Sequence, residues 1–399
     1  MEKSLRKIKV AVGLSGGVDS SVAAMLLKEQ GYDVVSLFLK FWNDPLCSVS
    51  RENACCDEKA LIDARKVAAI LDIPFYVVDC REQFKEDVTD YYLNEYRAMR
   101  TPNPCVVCNK KIKFGWMIDF AEKLGCDKVA TGHYAQIISP SSVIPASSVI
   151  PAKAGIQKKG ADPSLRWDDS CFRLLKGKDE NKDQSYFMWQ LDQTQLSKII
   201  FPLGEMTKDQ TREIAEKAGL PVYQKAESQE ICFIQEKSYA EFLKRYLPES
   251  YFVPGRIVDK DGWTIGVHNG IVNYTIGQRK GIEQAGYHGK VKEPLYVVGF
   301  HVEKNEVIVG PDEQTFSDSL EIENVNFISR SANQQISKSA GCSKVKIRYR
   351  APEVECEIKT LIPNTKYKIR FKDPQRAITP GQSAVFYSGD ELLGGGIIS

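Results

Sequence analysis

Three short runs of this 399-residue chain hold side chains that could do chemistry. The first is Ser15-Gly16-Gly17-Val18-Asp19-Ser20, between the apolar run Ile8–Leu14 and the helical pattern Ser20–Gln30. Two glycines let the backbone approach a ligand, three serines (Ser15, Ser20, Ser21) add hydroxyls, and a helix N-terminus adds free N–H groups and a positive dipole end. Together they make an anion cradle. It lacks the Gly-Lys-Ser/Thr ending of a Walker loop, so γ-phosphoryl transfer is not the chemistry expected of it. The second run is Asn103-Pro104-Cys105-Val106-Val107-Cys108-Asn109, followed by Lys110, Lys111 and Lys113; the third is Ser228-Gln229-Glu230-Ile231-Cys232-Phe233-Ile234. Cys108 and Cys232 lie 124 residues apart, so only the fold could bring them together. The neighbouring lysines should favour the thiolate of Cys105 or Cys108, the form that attacks sulfur and carbon. Half of a zinc site is the structural alternative, but no second ligand pair has the usual spacing. Cys232, between Ile231 and Phe233, could equally be a buried apolar thiol.

The elements that must position these runs alternate at first. Strands are expected at Ile8–Leu14, Val34–Leu39, Phe75–Val78 and Lys128–Thr131, and helices at Ser20–Gln30, Lys59–Leu71 and Lys113–Leu124, with Gly31 and Gly125 at two helix ends. Repeated strand–helix units imply a parallel sheet covered by helices. Residues 139–169 break the pattern: the hexamer Ser-Ser-Val-Ile-Pro-Ala occurs twice in tandem, and the stretch reads as an inserted surface loop. Thr207 with Gln210, and Ser238 with Glu241, are capping-box pairs ahead of helices at Thr211–Ala218 and Phe242–Tyr246. From about Tyr274 short strands and turn signals suggest an all-β barrel or sandwich. The expected fold is α/β, with an N-terminal parallel-sheet domain over 1–206, a small central α+β domain over 207–272 carrying Cys232, and a C-terminal β-barrel over 273–399.

Composition narrows the class. Lys and Arg number 54 against 52 Asp and Glu, a net charge of +2, so no global field draws the chain to nucleic acid and local basic patches must do so. Two stretches offer them: Lys346, Arg348 and Arg350 alternate with apolar residues, as do Lys366, Lys368, Arg370 and Lys372. A strand period of two would turn all seven charges outward. Eleven cysteines, an odd number without an export signal, fit a reducing compartment, and a cytoplasmic location is expected. No apolar run is long enough to span a bilayer, so no membrane partner is expected.

The hexad SGGVDS resembles the PP-loop of ATP pyrophosphatases, which hold the pyrophosphate of ATP and transfer the adenylyl group to an oxygen. The ordered set SGGVDSSV, TPNPCVVCN, ATGHYA, NKDQSYF, ESQEICFI, YTIGQRKGI and TPGQSAVFY resembles the tRNA-specific 2-thiouridylase family (MnmA/TrmU) across nearly the whole chain except the 139–169 loop. The resemblance implies an adenine nucleotide alpha hydrolase-like N-terminal domain. It also implies a tRNA-uridine 2-sulfurtransferase that replaces the 2-oxygen of the wobble uridine with sulfur and releases AMP and pyrophosphate. By motif match, Gly13, Leu14, Ser15, Gly16, Gly17, Val18, Asp19 and Ser20 would cradle ATP, with Leu39 on the adenine side and Gly132 as a further contact; Asp19 would help hold Mg²⁺. Asn103, Pro104 and Cys105 would line the target-base pocket. His133, Lys182, Asp183, Gln184, Arg348, Tyr349 and Gln382 would contact tRNA at and around its anticodon loop. Cys232 would carry a persulfide received from a sulfur-donor protein, and Cys108 would release or relay that sulfur, the pair ending as a disulfide. Cys105 stands where many members carry an acidic acid/base candidate. Cys105, Cys108 and Cys232 would alternatively make a three-thiolate set for an iron–sulfur cluster. A PP-loop ligase forming a C–N bond, and an RNA-binding protein with a structural metal, are the competing classes.

Overall fold

The computed structural model describes residues 6–47, 58–140, 171–226, 231–235, 238–282, 294–329, 343–362 and 365–399. Cys55-Cys56, Ser228–Glu230 and the tandem hexamers lie outside the described residues. The N-terminal part runs β1 (Lys9–Gly13), α1 (Val18–Glu29), β2 (Asp33–Lys40), α2 (Glu58–Ile70), β3 (Phe75–Asp79), then α3 (Arg81–Phe84) and α4 (Asp90–Arg97) joined by the π-helical turn Lys85–Thr89. Next come α5 (Pro104–Val107), a π-helical stretch (Cys108–Trp116), α6 (Met117–Lys123) and β4 (Lys128–Ala130). The expected strands and the first two helices stand within a residue or two of these bounds. The helix expected at Lys113–Leu124 instead begins at Pro104, whose fixed φ and missing N–H suit a first helical turn. The helical stretch over residues 81–97 went unread: its aromatic stripe Phe84, Tyr92 and Tyr96 is buried, but charged residues interleave it.

β5 (Ala135–Ile138) and β6 (Arg173–Lys176) pair antiparallel as a hairpin, and the inserted segment falls between them in sequence. α7 (Gln193–Lys198), β7 (Ile199–Ile200), α8 (Lys208–Lys217) and α9 (Tyr239–Tyr246) follow. The Thr207–Gln210 capping box forms with both reciprocal bonds, and the helix starts at Lys208, directly after its cap. Ser238 also caps a helix, but its hydroxyl accepts from Ala240 N–H rather than from Glu241. β8 (Gly255–Val258) and β9 (Thr264–His268) precede the expected change at Tyr274; the Asp261-Gly262 turn between them is the hairpin signal that marks them. With β10 (Tyr296–His301) and β11 (Glu306–Gly310) they form a four-stranded sheet in the order β10-β11-β8-β9.

The last six strands are β12 (Phe316–Phe327), β13 (Ser343–Lys346), β14 (Val354–Ile362), β15 (Lys366–Arg376), β16 (Ser383–Ser388) and β17 (Glu391–Ile398). They pair antiparallel in the order β12-β15-β14-β13-β16-β17, and β17 pairs back to β12, closing a barrel. Inside it pack Ile322, Val345, Ile369, Phe371 and Phe386. The β6–β5 hairpin extends the same sheet from β17, with Glu391 opposite Leu175.

The N-terminal sheet is parallel, ordered β3-β2-β1-β4-β7. Alternation along β1 sends Val10 and Val12 to a core with α1, α2 and α8, and Ala11 to the other face. That second core also holds Trp189, Val385, Tyr387 and Leu392, so sheet and barrel share one apolar interior. β2 and β4 flank β1 from opposite sides, which makes a topological switch point. In open α/β sheets the ligand crevice lies at such a point, beyond the carboxyl ends of the strands.

Candidate active site

The glycine loop leaves β1 at that switch point, and Gly132 leaves β4 beside it. Gly16 has φ +70°, and a side chain there would collide with the Ala60 carbonyl of α2. A Cβ on Gly132 would sit 2.6 Å from the Asp19 carbonyl carbon, so this backbone lies against the Asp19–Ser20 peptide. Ser20 Oγ knits the loop: it accepts from Ser15 N–H at 3.1 Å and donates to the Gly17 carbonyl at 3.1 Å. Gly13, Leu14, Ser15, Gly16, Gly17, Val18, Asp19, Ser20 and Gly132 thus stand in one place; Leu39 is half-buried at the carboxyl end of the adjacent β2.

Two lysines that spacing does not reveal close on this loop. Lys208, at the start of α8, places Nζ 2.6 Å from Asp19 Oδ1, which also accepts from the Tyr134 hydroxyl at 2.9 Å. Lys225 donates to the Gly16 carbonyl at 3.1 Å and to Asp63 Oδ2 at 2.9 Å. The lysine absent from the loop's own sequence therefore has counterparts supplied by the fold. The capping box located Lys208 on a helix start, but nothing in its spacing pointed at Asp19. Mg²⁺ usually takes one or two carboxylates plus substrate phosphates and water. Asp19 is the single carboxylate of this loop, and its Oδ2 is the oxygen not taken by Lys208 and Tyr134, so the donor set fits such an ion.

The two cysteine motifs meet. Cys108 is buried in an apolar cluster with Phe41, Cys80, Phe84, Tyr92, Ile112 and Phe233, and Cys232 packs against the same cluster from its border. Phe233 is the peg: its ring is fully buried and crosses Phe84 and Tyr92 edge-on at 5.8 and 5.3 Å. Cys80 follows β3 and donates to the Lys40 carbonyl at the end of β2, so the cluster abuts the carboxyl edge of the sheet. Burial, with Cys108 and Asp79 nearby, pushes the Cys80 thiol up to about 12, so it stays protonated at neutral pH. Cys105 is exposed.

The lysines after Cys108 have partners of their own: Lys110 pairs with Asp192 and Gln195 at 2.7 and 2.8 Å, Lys111 with Asp87 at 4.0 Å, and Lys113 with His133 Nε2 at 3.3 Å. One expectation about these thiols is corrected: Cys105, Cys108 and Cys232 form no ligand set, since among the described residues no three His, Cys, Asp or Glu side chains could hold a metal ion. The donors for a cluster do not fit.

The segment before Cys105 is held by the barrel. Thr101 N–H donates to the Pro380 carbonyl at 2.8 Å, and Gln382 Nε2 donates to the Thr101 and Pro102 carbonyls at 2.9 and 3.3 Å. Asn103 stands at the N-cap position of α5 without a side-chain cap bond. Pro104 is buried at the first helical position.

The remaining residues singled out in the sequence fall into two groups. Lys182 lines an open cleft with Asp179, Lys208, Asp209 and Arg212 beside the glycine loop. Asp183, by contrast, is buried and accepts from Gly177 N–H, Ser185 N–H and Ser185 Oγ at 2.9–3.0 Å, while Gln184 accepts from Tyr134 N–H at 3.0 Å. His133 is 8% exposed, with Nδ1 2.6 Å from Thr131 Oγ1. Burial, aided by the Lys113 ammonium, holds it well below the ordinary imidazole range, so the ring is neutral. The strand expected through Arg350 ends at Lys346, which leaves Arg348 and Tyr349 in a turn. Freed from strand alternation, Tyr349 packs at a tilt against Phe187, with ring centroids 4.6 Å apart, and Arg348 donates to Thr379 Oγ1 at 3.2 Å. The charges of β15 do point outward, but acids on the neighbouring strands answer them: Lys366 pairs with Glu321 at 2.6 Å and Lys372 with Glu355 at 3.0 Å. Among the described residues no helix is long and apolar enough to cross a membrane.

Comparison with known proteins agrees with this architecture. Family models described as a tRNA methyl transferase HUP domain, a tRNA methyl transferase PRC-barrel domain and an aminomethyltransferase β-barrel domain match residues 8–236, 240–311 and 317–398. The tRNA-specific 2-thiouridylase MnmA of Clostridium perfringens is 43% identical over 396 residues, covering 99% of both chains. MnmA 1 of Caldanaerobacter subterraneus is 45% identical over 392 residues, covering 98% of this chain and 97% of that one. MnmA of Streptococcus mutans is 44% identical over 398 residues, covering 98% and 95%. With three matching models in order and relatives of this identity along the full chain, the protein belongs to the tRNA-specific 2-thiouridylase family, MnmA.

Proposed function

We propose that this protein thiolates tRNA, replacing the 2-oxygen of the wobble uridine with sulfur at the expense of ATP. The observation that carries the reading is the meeting of Cys108 and Cys232 in one apolar cluster at the carboxyl edge of the sheet that also presents the glycine loop. A C–N ligase on the same loop would leave that meeting without a task.

ATP is a substrate here. The loop Gly13–Ser20 and Gly132 would hold its pyrophosphate, with Lys208 and Lys225 offsetting the negative charge and Leu39 bounding the adenine. Mg²⁺ held at Asp19 would supply further neutralisation of the pyrophosphate. The uridine leaves its stack, at a cost of about a few kcal/mol, and enters a pocket lined by Asn103, Pro104 and Cys105. The 2-oxygen attacks the α-phosphorus and pyrophosphate departs, leaving the oxygen as part of a good leaving group. Cys232, loaded by a persulfide-carrying donor protein, brings the sulfur. The Cys108 thiolate attacks the inner sulfur of that persulfide, so a Cys108–Cys232 disulfide forms and hydrosulfide leaves. Hydrosulfide then adds to C2 and AMP is expelled. An external thiol returns two electrons to the disulfide. Cys80 remains a neutral thiol throughout, so no second buried anion opposes ionisation of Cys108.

The test is nucleoside analysis of tRNA incubated with the protein, ATP, Mg²⁺ and a persulfide-loaded donor. Wild type should form 2-thiouridine, whereas Cys108→Ser and Cys232→Ser should lose it. Full 2-thiouridine formation by Cys232→Ser would reject the relay, and pyrophosphate release by wild type without any 2-thiouridine would favour the ligase reading.

A further inference from the structure

Residues 41–47 leave the carboxyl end of β2 as neither helix nor strand, yet they touch the surroundings of both thiols. Phe41 stacks on Phe84 with ring centroids 4.7 Å apart, inside the apolar cluster that buries Cys108. Three residues on, Asp44 reaches α9 instead, with a side chain only 1% exposed. Its Oδ2 accepts from Arg245 Nε at 2.9 Å and from Arg245 Nη2, and its Oδ1 accepts from the Tyr246 hydroxyl. Oδ1 also accepts from Leu46 N–H at 2.9 Å, which folds the loop around the carboxylate. Trp42 of the same loop crosses Phe242 and Tyr246 of α9 edge-on, with centroids 6.4 and 6.0 Å apart.

This grip leads on to Cys232. The Arg245 guanidinium lies over the Phe242 ring at 5.8 Å, Phe242 packs against Phe233 at 5.5 Å, and Phe233 follows Cys232 in the chain. No step of the proposed reaction uses Asp44, Arg245 or Tyr246, although a carboxylate taken out of water is costly unless it is paired. A buried ion pair adds little net stability over apolar packing, but its bonds are directional and hold in one geometry. One short loop therefore sets the place of α9 relative to the Cys108 cluster. Reacting groups displaced by about 1 Å lose on the order of a hundredfold in rate.

We propose that Asp44 is a positioning residue for sulfur transfer: by clamping Arg245 and Tyr246 it fixes α9, and through Phe242 and Phe233 it holds Cys232 in range of Cys108. The inference rests on the thiolation reading for its kinetic consequence, but its geometric half stands on the free protein. In full-length protein equilibrated with glutathione, the two thiols pass two electrons to glutathione disulfide, giving the Cys108–Cys232 disulfide and two glutathione thiols. Mass spectrometry of the joined peptides gives the equilibrium constant. Asp44→Asn and Arg245→Met should each lower it about fivefold to twentyfold, and Arg245→Lys and Tyr246→Phe about twofold to threefold. Should Asp44→Asn not fold, the two milder variants carry the same test. In thiolation assays of Asp44→Asn, kcat should fall about tenfold, with KM for tRNA and affinity for ATP within about threefold of wild type. A lowered denaturation midpoint with an unchanged glutathione equilibrium would overturn the proposal, since the contact would then be structural alone. So would a shifted equilibrium with full kcat, or a raised KM at unchanged kcat. Should wild type itself make no 2-thiouridine, the functional reading fails by that result, while the glutathione equilibrium still decides the clamp.

Discussion

Lys208→Met and Asp19→Ala break the same ion pair beside the glycine loop, yet the two should differ in cost. The Lys208 side chain is 8% exposed and the Asp19 side chain 32% exposed. Removing the lysine leaves a carboxylate that water can reach and that keeps the Tyr134 hydroxyl, so the loss is one charge-assisted bond at its lower end, about 2 kcal/mol. Removing the aspartate takes a charge-assisted bond from the more deeply buried partner, a loss at the upper end of the range, about 3 kcal/mol. The first turn of α1 also loses an acidic residue that suits its dipole, which adds about 0.5 kcal/mol. Asp19→Ala should therefore exceed Lys208→Met by about 1.5 kcal/mol, about tenfold in the unfolding equilibrium. The measurement is urea denaturation of the full chain, comparing midpoints at equal slope, with the double variant closing a thermodynamic cycle. Equal losses, or Lys208→Met the more damaging, would show that the burial asymmetry does not govern this pair, and near-zero coupling would show that the pair is not energetically linked.

Gly16→Ala should abolish saturable ATP binding measured by calorimetry, because the new methyl meets the Ala60 carbonyl and φ +70° disfavours any side chain; Gly125→Ala, at a helix end with open space around it, should leave ATP affinity within threefold. Stability should fall as pH drops below about 6.5. Burial depresses both His133 and His268, so the folded state resists protons that the unfolded state accepts. Each group then costs up to about 1.4 kcal/mol per pH unit until its folded pKa is reached. Denaturation midpoints between pH 7.5 and 5.5 check this, and His133→Gln should flatten the slope.

Much of the α/β half was legible because its signals are local. β1 is a short apolar run, Gly31 and Gly125 end helices, and Thr207 with Gln210 announces α8. The helical stretch over residues 81–97 escaped because it packs around Phe233, a partner more than 130 residues away, so no window of sequence showed which of its faces was inner. At the site, residue types named the chemistry, but partners did not follow from spacing. Lys110, Lys111 and Lys113 sit next to Cys108 in the chain, yet their ion-pair and hydrogen-bond partners lie on other elements. Lys208 and Lys225 are remote in the chain and reach the loop. The outward charges of β15 were readable from a period of two, whereas their acidic partners on β12 and β14 depended on register.

The β5–β6 hairpin has a bearing on how the chain is made. Its inner strand, β6, hydrogen-bonds β17, and Arg173 of β6 pairs with Glu391 of β17. On the ribosome, that edge emerges long before its mate is translated. The amino-terminal half must wait with an open sheet margin until β17 has been made, so nascent-chain chaperones and truncations that remove β17 bear on this protein's assembly more heavily than its early nucleotide fold would suggest.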